Sequence, residues 1–522
     1  MSENLSPAQS PGQCDQSSYS PRIPDPDPEL LNQALAFHQE NRLAEAAALY
    51  REFLVQQPDQ PQAYFNLGAI CQASGDLDEA IALYRQILKQ EPENFQALYF
   101  LASALVNQGY REEAIVTYQQ AISVGPTHAA AHYNLGILHY HQGEQAKAMA
   151  CYQAALQLDP GHAASLYNLG IIHFERQEYD QAAVSYEQAL AARPEDVDTL
   201  YNLAFTRAKQ GQLAEAALHY HAAAELAPED PELHNALGST LRKLDEPELA
   251  EACYRQAVSL RADFGPAWTN LATILHMLGR FDEAMDCYSR AIELGDRTES
   301  ADYMLAALTG SNRQSSPRSY VRDLFDGYAE NFDHSLVEQL QYNVPGLLKD
   351  ACLAVVGPQC RFRRAADLGC GTGLAGAQFR GLVEQLVGVD LSVKMVAKAA
   401  AQGIYDQLTC SDIADFLATG TGPDFDLIVA ADVLIYLGDL EPFFGQIRDS
   451  IKPGGYLVFS TEILGGLGDY RLQKTGRYAH SERYLKALAA RHGFGVELCR
   501  EANLRKEKAQ WLRGYLVVMR RD

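Results

Sequence analysis

The sequence predicts an α-solenoid followed by an α/β Rossmann-like domain, and two observations carry that fold class. One is a 34-residue period repeated eight times across residues 27–298. The other is AADLGCGTGLAGAQFRGLVEQLVGVDLS at residues 365–392, which reads as strand, glycine turn, helix and second strand. Composition agrees with both. At 522 residues there is room for more than one domain, and 47% hydrophobic content supplies well-buried cores. Lys+Arg 43 against Asp+Glu 67 gives a net charge of −24, so a nucleic-acid backbone is an unsuitable partner for the chain as a whole.

Taken in order, residues 1–26 are rich in Ser, Pro, Gln and Asp and read as a disordered leader. They lack a basic start and an apolar core, and no apolar run is long enough to span a bilayer, so a cytoplasmic protein without membrane insertion is expected. Ten cysteines form no C-x-x-C pair, which suits reduced thiols and argues against a metal site.

The repeats of residues 27–298 share three marks. A small residue recurs at Ala34, Gly68, Ala102, Gly136, Gly170, Ala204, Gly238 and Ala272, letting paired helices approach closely. Alanine follows twelve positions later, from Ala46 to Ala284, and tyrosine four beyond that, from Tyr50 to Tyr288, to fill the gap to the next hairpin. Pro58, Pro92, Pro126, Pro160, Pro194 and Pro228 end the second helices; Ala262 and Asp296 take that place in the last two repeats, where looser ends are expected. This is the tetratricopeptide repeat (TPR) pattern. Residues 299–317 are expected to form a capping helix and a polar linker, SNRQSSPRS, before a second domain at 318–522.

In that domain Gly369, Gly371 and Gly373 permit a turn that brings backbone against a ligand, and Asp390 ends the second strand where it can accept ribose hydroxyls. Gly371-x-Gly373-x-x-Gly376 also satisfies a dinucleotide fingerprint, so NAD binding and a purely structural turn stay open. Three features favour S-adenosylmethionine (SAM). Asp367, before the glycines, suits an ammonium and repels a pyrophosphate. Asp412, after a third strand, can accept a hydrogen bond from an adenine amino group. FDLIVAADVLIYL (425–437) and KPGGYLVFSTE (452–462) supply two further strands.

In order and spacing these runs resemble the motif series of class I SAM-dependent methyltransferases. With YVRDLFDGYAENFDHSL (320–336) and GRYAHSERYLKALAARHGF (476–494), the C-terminal third resembles a bacterial group of methyltransferases fused to TPR repeats. The resemblance implies the fold and SAM as cofactor, and leaves the methyl acceptor unnamed. Leu391, Met395 and Ile413, beside the two acids, join the cofactor-binding set. Tyr328 and Phe332, four apart, suit either a lid over the cofactor or simple helix packing.

For chemistry, Asp432 and Tyr436 follow the fourth strand, where this fold holds the transferable methyl. His480 lies on the segment that roofs the acceptor, with a surface or helix-capping role as its alternative. The basic runs at Arg361, Arg363 and Arg364, and at Arg505, Lys506 and Lys508, read as solvated charge beside strands. In the repeats, Asn66, Asn134, Asn168, Asn202 and Asn270 share one position, interrupted by Phe100 and Ala236. They form either a ladder gripping a protein or peptide backbone in the concave groove or bonds within the hairpins. The expected function is methyl transfer to a protein acceptor, or to a substrate presented in a complex. The alternatives are a small-molecule methyltransferase docked by its repeats and a non-catalytic scaffold.

Overall fold

The computed structural model describes residues 28–329, 332, 340–419, 424–507 and 510–522, with the side chains of Pro28 and Tyr328 left out. The leader expected at 1–26 lies outside the described residues. Contacts divide the chain into two units, residues 1–210 and 211–522.

In the first unit, helices alternate from Pro28–Gln39 and Leu43–Gln56 through to Val197–Lys209. The repeat glycines explain the pairing. A Cβ on Gly68 would meet Tyr84 at 2.8 Å, one on Gly136 would meet Tyr152 at 2.6 Å, and one on Gly170 would meet Tyr186 at 2.5 Å. In these repeats the tyrosine ring therefore packs directly against the glycine of its own repeat. Tyr50, Tyr84, Tyr118, Tyr152 and Tyr186 are all buried, among Ala46, Ala80, Ala114, Ala148 and Ala182. Such rings supply much of the area that one hairpin alone cannot bury.

The second unit opens with Leu213–Leu226 and carries the repeat pattern on to Phe281–Glu293. The seventh repeat has no proline after its second helix, yet that helix, Pro247–Leu260, still stops in phase. Next comes the capping helix Glu299–Thr309, closed by Gly310 in the left-handed region. One face of the capping helix joins a core with Leu271, Ile274 and Leu275 of the last repeat; the same core takes in Leu472 and Tyr478 of the sheet domain.

That sheet contains β1 Phe362–Leu368, β2 Val383–Asp390, β3 Gln407–Cys410, β4 Phe425–Ala430, β5 Ile451–Ile463, β6 Tyr470–Leu472, β7 Tyr478–His480, β8 Phe494–Glu507 and β9 Gln510–Arg521. Its order is β3-β2-β1-β4-β5-β7-β6, with β9 antiparallel to β5 and β8 antiparallel to β9. The β3-to-β5 half is parallel. Both faces are covered, as parallel sheets require: Leu457, Phe459, Val517 and Met519 point into one core, Val458, Leu516 and Val518 into the other. Chain order reverses between β1 and β4, so their C-terminal ends open a crevice there.

The stretch expected as a polar linker is fastened rather than free. Gln314 O accepts from the N–H groups of Gly438 (2.9 Å) and Asp439 (2.8 Å), and Ser316 N–H donates to Tyr436 O at 3.0 Å. Asn312 donates to Tyr470 O and accepts from Leu472 N–H. Tyr303 of the capping helix donates to Gly476 O at 2.9 Å and lies 2.7 Å from Ser316 Oγ. Residues 312–316 thus form a strap between the capping helix, the β6–β7 hairpin and the loop after β4.

Candidate functional site

The glycine turn leaves β1 with Gly369 (φ 67°), Gly371 (φ 55°) and Gly373 (φ 102°), all in the region that favours glycine. At 369 a Cβ would also strike Val433 at 2.5 Å, whereas one at 371 meets nothing nearer than Phe332, at 3.8 Å. The turn is open on the side where a ligand would lie. Asp390, at the tip of β2, is 9% exposed. Its Oδ2 accepts the Gly371 N–H and its Oδ1 the Ser392 N–H, each at 2.9 Å, which fixes the carboxylate and leaves a lone pair on each oxygen. Burial holds its pKa above the ordinary carboxylate value.

Asp367, 2% exposed at the end of β1, accepts the Tyr405 hydroxyl on Oδ2 at 2.6 Å. Its Oδ1 is buried and has no hydrogen-bond partner among the described residues. Burial pushes this carboxyl up to about 7. An orphan carboxylate oxygen in a cleft is the complement of an N–H or ammonium donor. Asp412 caps the helix Ile413–Ala418, its Oδ1 accepting from Ala414 N–H and from Arg318, which also pairs with Asp415. Leu391 and Ile413 are partly buried beside these acids, and Met395 is fully buried with its N–H donated to Ser392 Oγ. The predicted cofactor residues thus converge at the C-terminal ends of β1 to β3.

An aromatic row lies over the turn. Phe332 stacks edge-on against Phe325 at 5.9 Å, and Phe325 against Tyr436 at 5.6 Å. Phe325 belongs to the helix Arg318–Tyr328, which Asp326 ties to Ser392 and Arg318 to Asp412 and Asp415. This row brings Phe332 within 3.8 Å of where a Cβ on Gly371 would stand; the Tyr328 side chain lies outside the described residues.

Beyond β4 the sequence reading needs correction. Asp432 has φ 56°, a strained value for a residue with a side chain. Ser460 Oγ holds it there, accepting its N–H at 2.8 Å and donating to Oδ1 at 2.7 Å. Arg505 binds its Oδ2 at 2.5 Å. Far from being solvated, Arg505 is 5% exposed and gives its other nitrogens to Glu462 and Glu507, which Arg477 also bridges. Asp432 is therefore an ion-paired carboxylate in a cluster drawn from four elements. Tyr342 and Tyr436 stand beside it, and burial raises both phenols.

His480 is neither a cap nor a surface residue. It lies fully buried in β7, and the cap of the next helix is Ser481. Its Nδ1 meets Thr461 Oγ1 at 2.6 Å, while Nε2 meets the carbonyls of Leu437 (2.9 Å) and Gly438 (3.1 Å). Burial pushes its pKa down to about 4, and both nitrogens are engaged inside the protein, where they hold the loop that carries Asp432 and Tyr436.

The asparagine ladder also turns inward. Asn66 donates to Tyr50 at 3.2 Å, Asn134 to Tyr118 and Tyr99 at 3.1 Å, and Asn202 to Tyr167 at 3.0 Å. Asn168 engages Tyr152, and in the second unit Asn270 donates to Asn235 at 2.9 Å. Each of these amides bonds to the preceding repeat, so they stitch neighbouring repeats together instead of bonding within one hairpin. Phe100 breaks the ladder because it packs against Phe65 and Tyr84. Among the described residues, no group of His, Cys, Asp or Glu is arranged to hold a metal ion, and no helix is long and apolar enough to cross a membrane.

Comparison with known proteins agrees with this architecture. Tetratricopeptide-repeat models match residues 31–90 and 101–163, 72–120, 151–183, 170–211, 231–264 and 265–295. A methyltransferase-domain model matches residues 366–457. The chain is a tetratricopeptide-repeat protein. Its C-terminal part is a methyltransferase domain.

Among curated relatives, the ubiquinone biosynthesis O-methyltransferase of Bradyrhizobium sp. (strain ORS 278) is 32% identical over 102 residues, 19% of this chain and 39% of that protein. The malonyl-[acyl-carrier protein] O-methyltransferase of Methylovorus sp. (strain MP688) is 28% identical over 155 residues, 28% of this chain and 50% of that one. The chain thus spans half or less of the length of these relatives. Among solved structures, MamA is 25% identical with a TM-score of 0.31, covering 32% of this chain and 92% of its own. A tetratricopeptide repeat protein from Parabacteroides merdae ATCC 43184 is 20% identical with a TM-score of 0.35, covering 47% and 98%.

Proposed function

We propose that this chain is a SAM-dependent methyltransferase whose repeats recruit a protein, either as the methyl acceptor or as the scaffold that presents one. The observation that carries the reading is the pair Asp367 and Asp390 around an open glycine turn at the point where strand order reverses. When bound, SAM supplies a methyl group on a sulfonium. Asp390 accepts the ribose hydroxyls with its two remaining lone pairs. Asp367 offers Oδ1 to the ammonium of the amino-acid end, and Asp412 faces the adenine amino group. Phe332, Phe325 and Tyr436 exclude water and hold the acceptor in line, the condition that governs a displacement of this kind. Asp432, held by Ser460 and Arg505, orients the acceptor from its fixed position. The unpaired cysteines suit a cytoplasmic setting.

Calorimetry on the full chain tests the cofactor. Asp390→Ala removes hydrogen bonds to a charged group, together worth about 1.5–3 kcal/mol, so affinity should fall roughly ten- to more than a hundredfold. Tight NAD binding without SAM binding would overturn the reading.

A further inference from the structure

Tyr405 stands in the loop before β3, where no sequence pattern marks it, yet three glycines make room for its ring. A Cβ on Gly376 would fall 2.2 Å from the Tyr405 hydroxyl, one on Gly388 2.9 Å from its ring and one on Gly373 3.4 Å from it. The third glycine of the G-x-G-x-x-G spacing is therefore demanded by a side chain of this protein, with no phosphate invoked. The hydroxyl that these glycines admit donates to Asp367 Oδ2 at 2.6 Å, with the Gly376 main chain beside both groups. The other oxygen of that carboxylate is the orphan. The titratable groups that face Asp367 are Tyr405, Asp390, Cys370 and Tyr342, and none of them is a cation.

We infer that Tyr405 is a positioning residue: it fixes one oxygen of Asp367 so that the other meets the ammonium at the amino-acid end of the cofactor. The inference rests on the cofactor reading above. It separates two jobs within one carboxylate, orientation by the protein on Oδ2 and recognition of ligand on Oδ1.

Two probes distinguish this from mere packing. S-adenosylhomocysteine carries the ammonium, and 5′-methylthioadenosine keeps the nucleoside and thioether but lacks the amino-acid end. With the full chain, Tyr405→Phe keeps the ring in its glycine slot and removes only the hydroxyl. Affinity for S-adenosylhomocysteine should fall roughly three- to tenfold, while that for 5′-methylthioadenosine stays level. Asp367→Asn should abolish the same preference, and adding Tyr405→Phe to it should change nothing further. A preference untouched by Tyr405→Phe, an equal loss for both probes, or a Tyr405→Phe chain that fails to fold would each make the tyrosine purely structural and overturn the inference alone. A wild-type chain that binds neither probe overturns it together with the cofactor reading.

Discussion

Replacing Arg505 by methionine should leave Asp432, Glu462 and Glu507 facing one another with only Arg477 between them. Arg505 is 5% exposed and touches all three carboxylates within 3.1 Å, and two of them, Asp432 and Glu462, are themselves largely screened from solvent. Removing one partner of a buried ion network costs about 3–5 kcal/mol, because the remaining charges stay desolvated and unpaired. For a unit of this size each kcal/mol lowers the melting midpoint by about 2–4 °C, which puts the expected drop between roughly 6 and 20 °C. Scanning calorimetry is the assay, since it resolves the transition of the second unit from that of the repeats before it. Adding Glu462→Gln removes one stranded charge and should restore part of the loss. A midpoint within about 2 °C of wild type would refute the argument, for it would mean the cluster is hydrated and Arg505 expendable.

Three further outcomes follow from the same geometry. The folded state withholds from His480 a proton that the unfolded chain accepts, so its contribution to stability is complete above about pH 6.5 and is lost as the pH falls toward about 4. The difference in melting midpoint between wild type and His480→Gln should follow that window, and a pH-independent difference would contradict the burial argument. Asp367 has the opposite sign: its carboxyl is raised to about 7, so its contribution is present below about pH 4 and lost as the pH rises through 7. Asp367→Asn should therefore melt higher than wild type above pH 7 while binding S-adenosylhomocysteine more weakly; a lower midpoint there would count against the orphan oxygen. Asn134→Ala with Asn168→Ala and Asn202→Ala should destabilise the first unit by about 0.5–1.5 kcal/mol per amide, read from thermal melts. A midpoint that does not move would return the ladder to the peptide groove.

The repeats were legible because each mark is local and recurs: a small residue, an alanine and a tyrosine at fixed offsets admit one packing solution. The glycine turn and its two acids were legible for a similar reason, since Asp367 and Asp390 flank a single strand–turn–helix–strand unit. What escaped the sequence is long-range. Arg505 sits in a basic run that looks like surface charge, and only the pairing of β8 through β9 to β5 brings it against Asp432, 73 residues away. Tyr405 is an isolated aromatic in a loop, and nothing near it announces the glycines it occupies. His480 precedes a helix in sequence, which suggests a cap, yet strand pairing with β5 and β6 draws it inside. The Ser- and Arg-rich run at 311–319 has the composition of a tether and the bonding of a strand edge.

That strap gives the protein a ruler. It meets the loop after β4 through main-chain groups, Ser316 to Tyr436 and Gln314 to Gly438 and Asp439, so that contact is indifferent to its side chains; Asn312 and Ser316 add side-chain bonds, to the β6–β7 hairpin and to Tyr303. Its length is another matter. At one end the capping helix stops at Gly310, and at the other Gly438 has no room even for a methyl group, because a Cβ there would lie 2.9 Å from the carbonyls of Arg313 and Gln314. One residue added or removed between those points would slide every bond by a register and carry Tyr436 with it. Relatives that keep this spacing while their strap composition drifts would be tuned for distance, and grafting the sheet domain onto another repeat array would demand that the count, more than the sequence, be preserved.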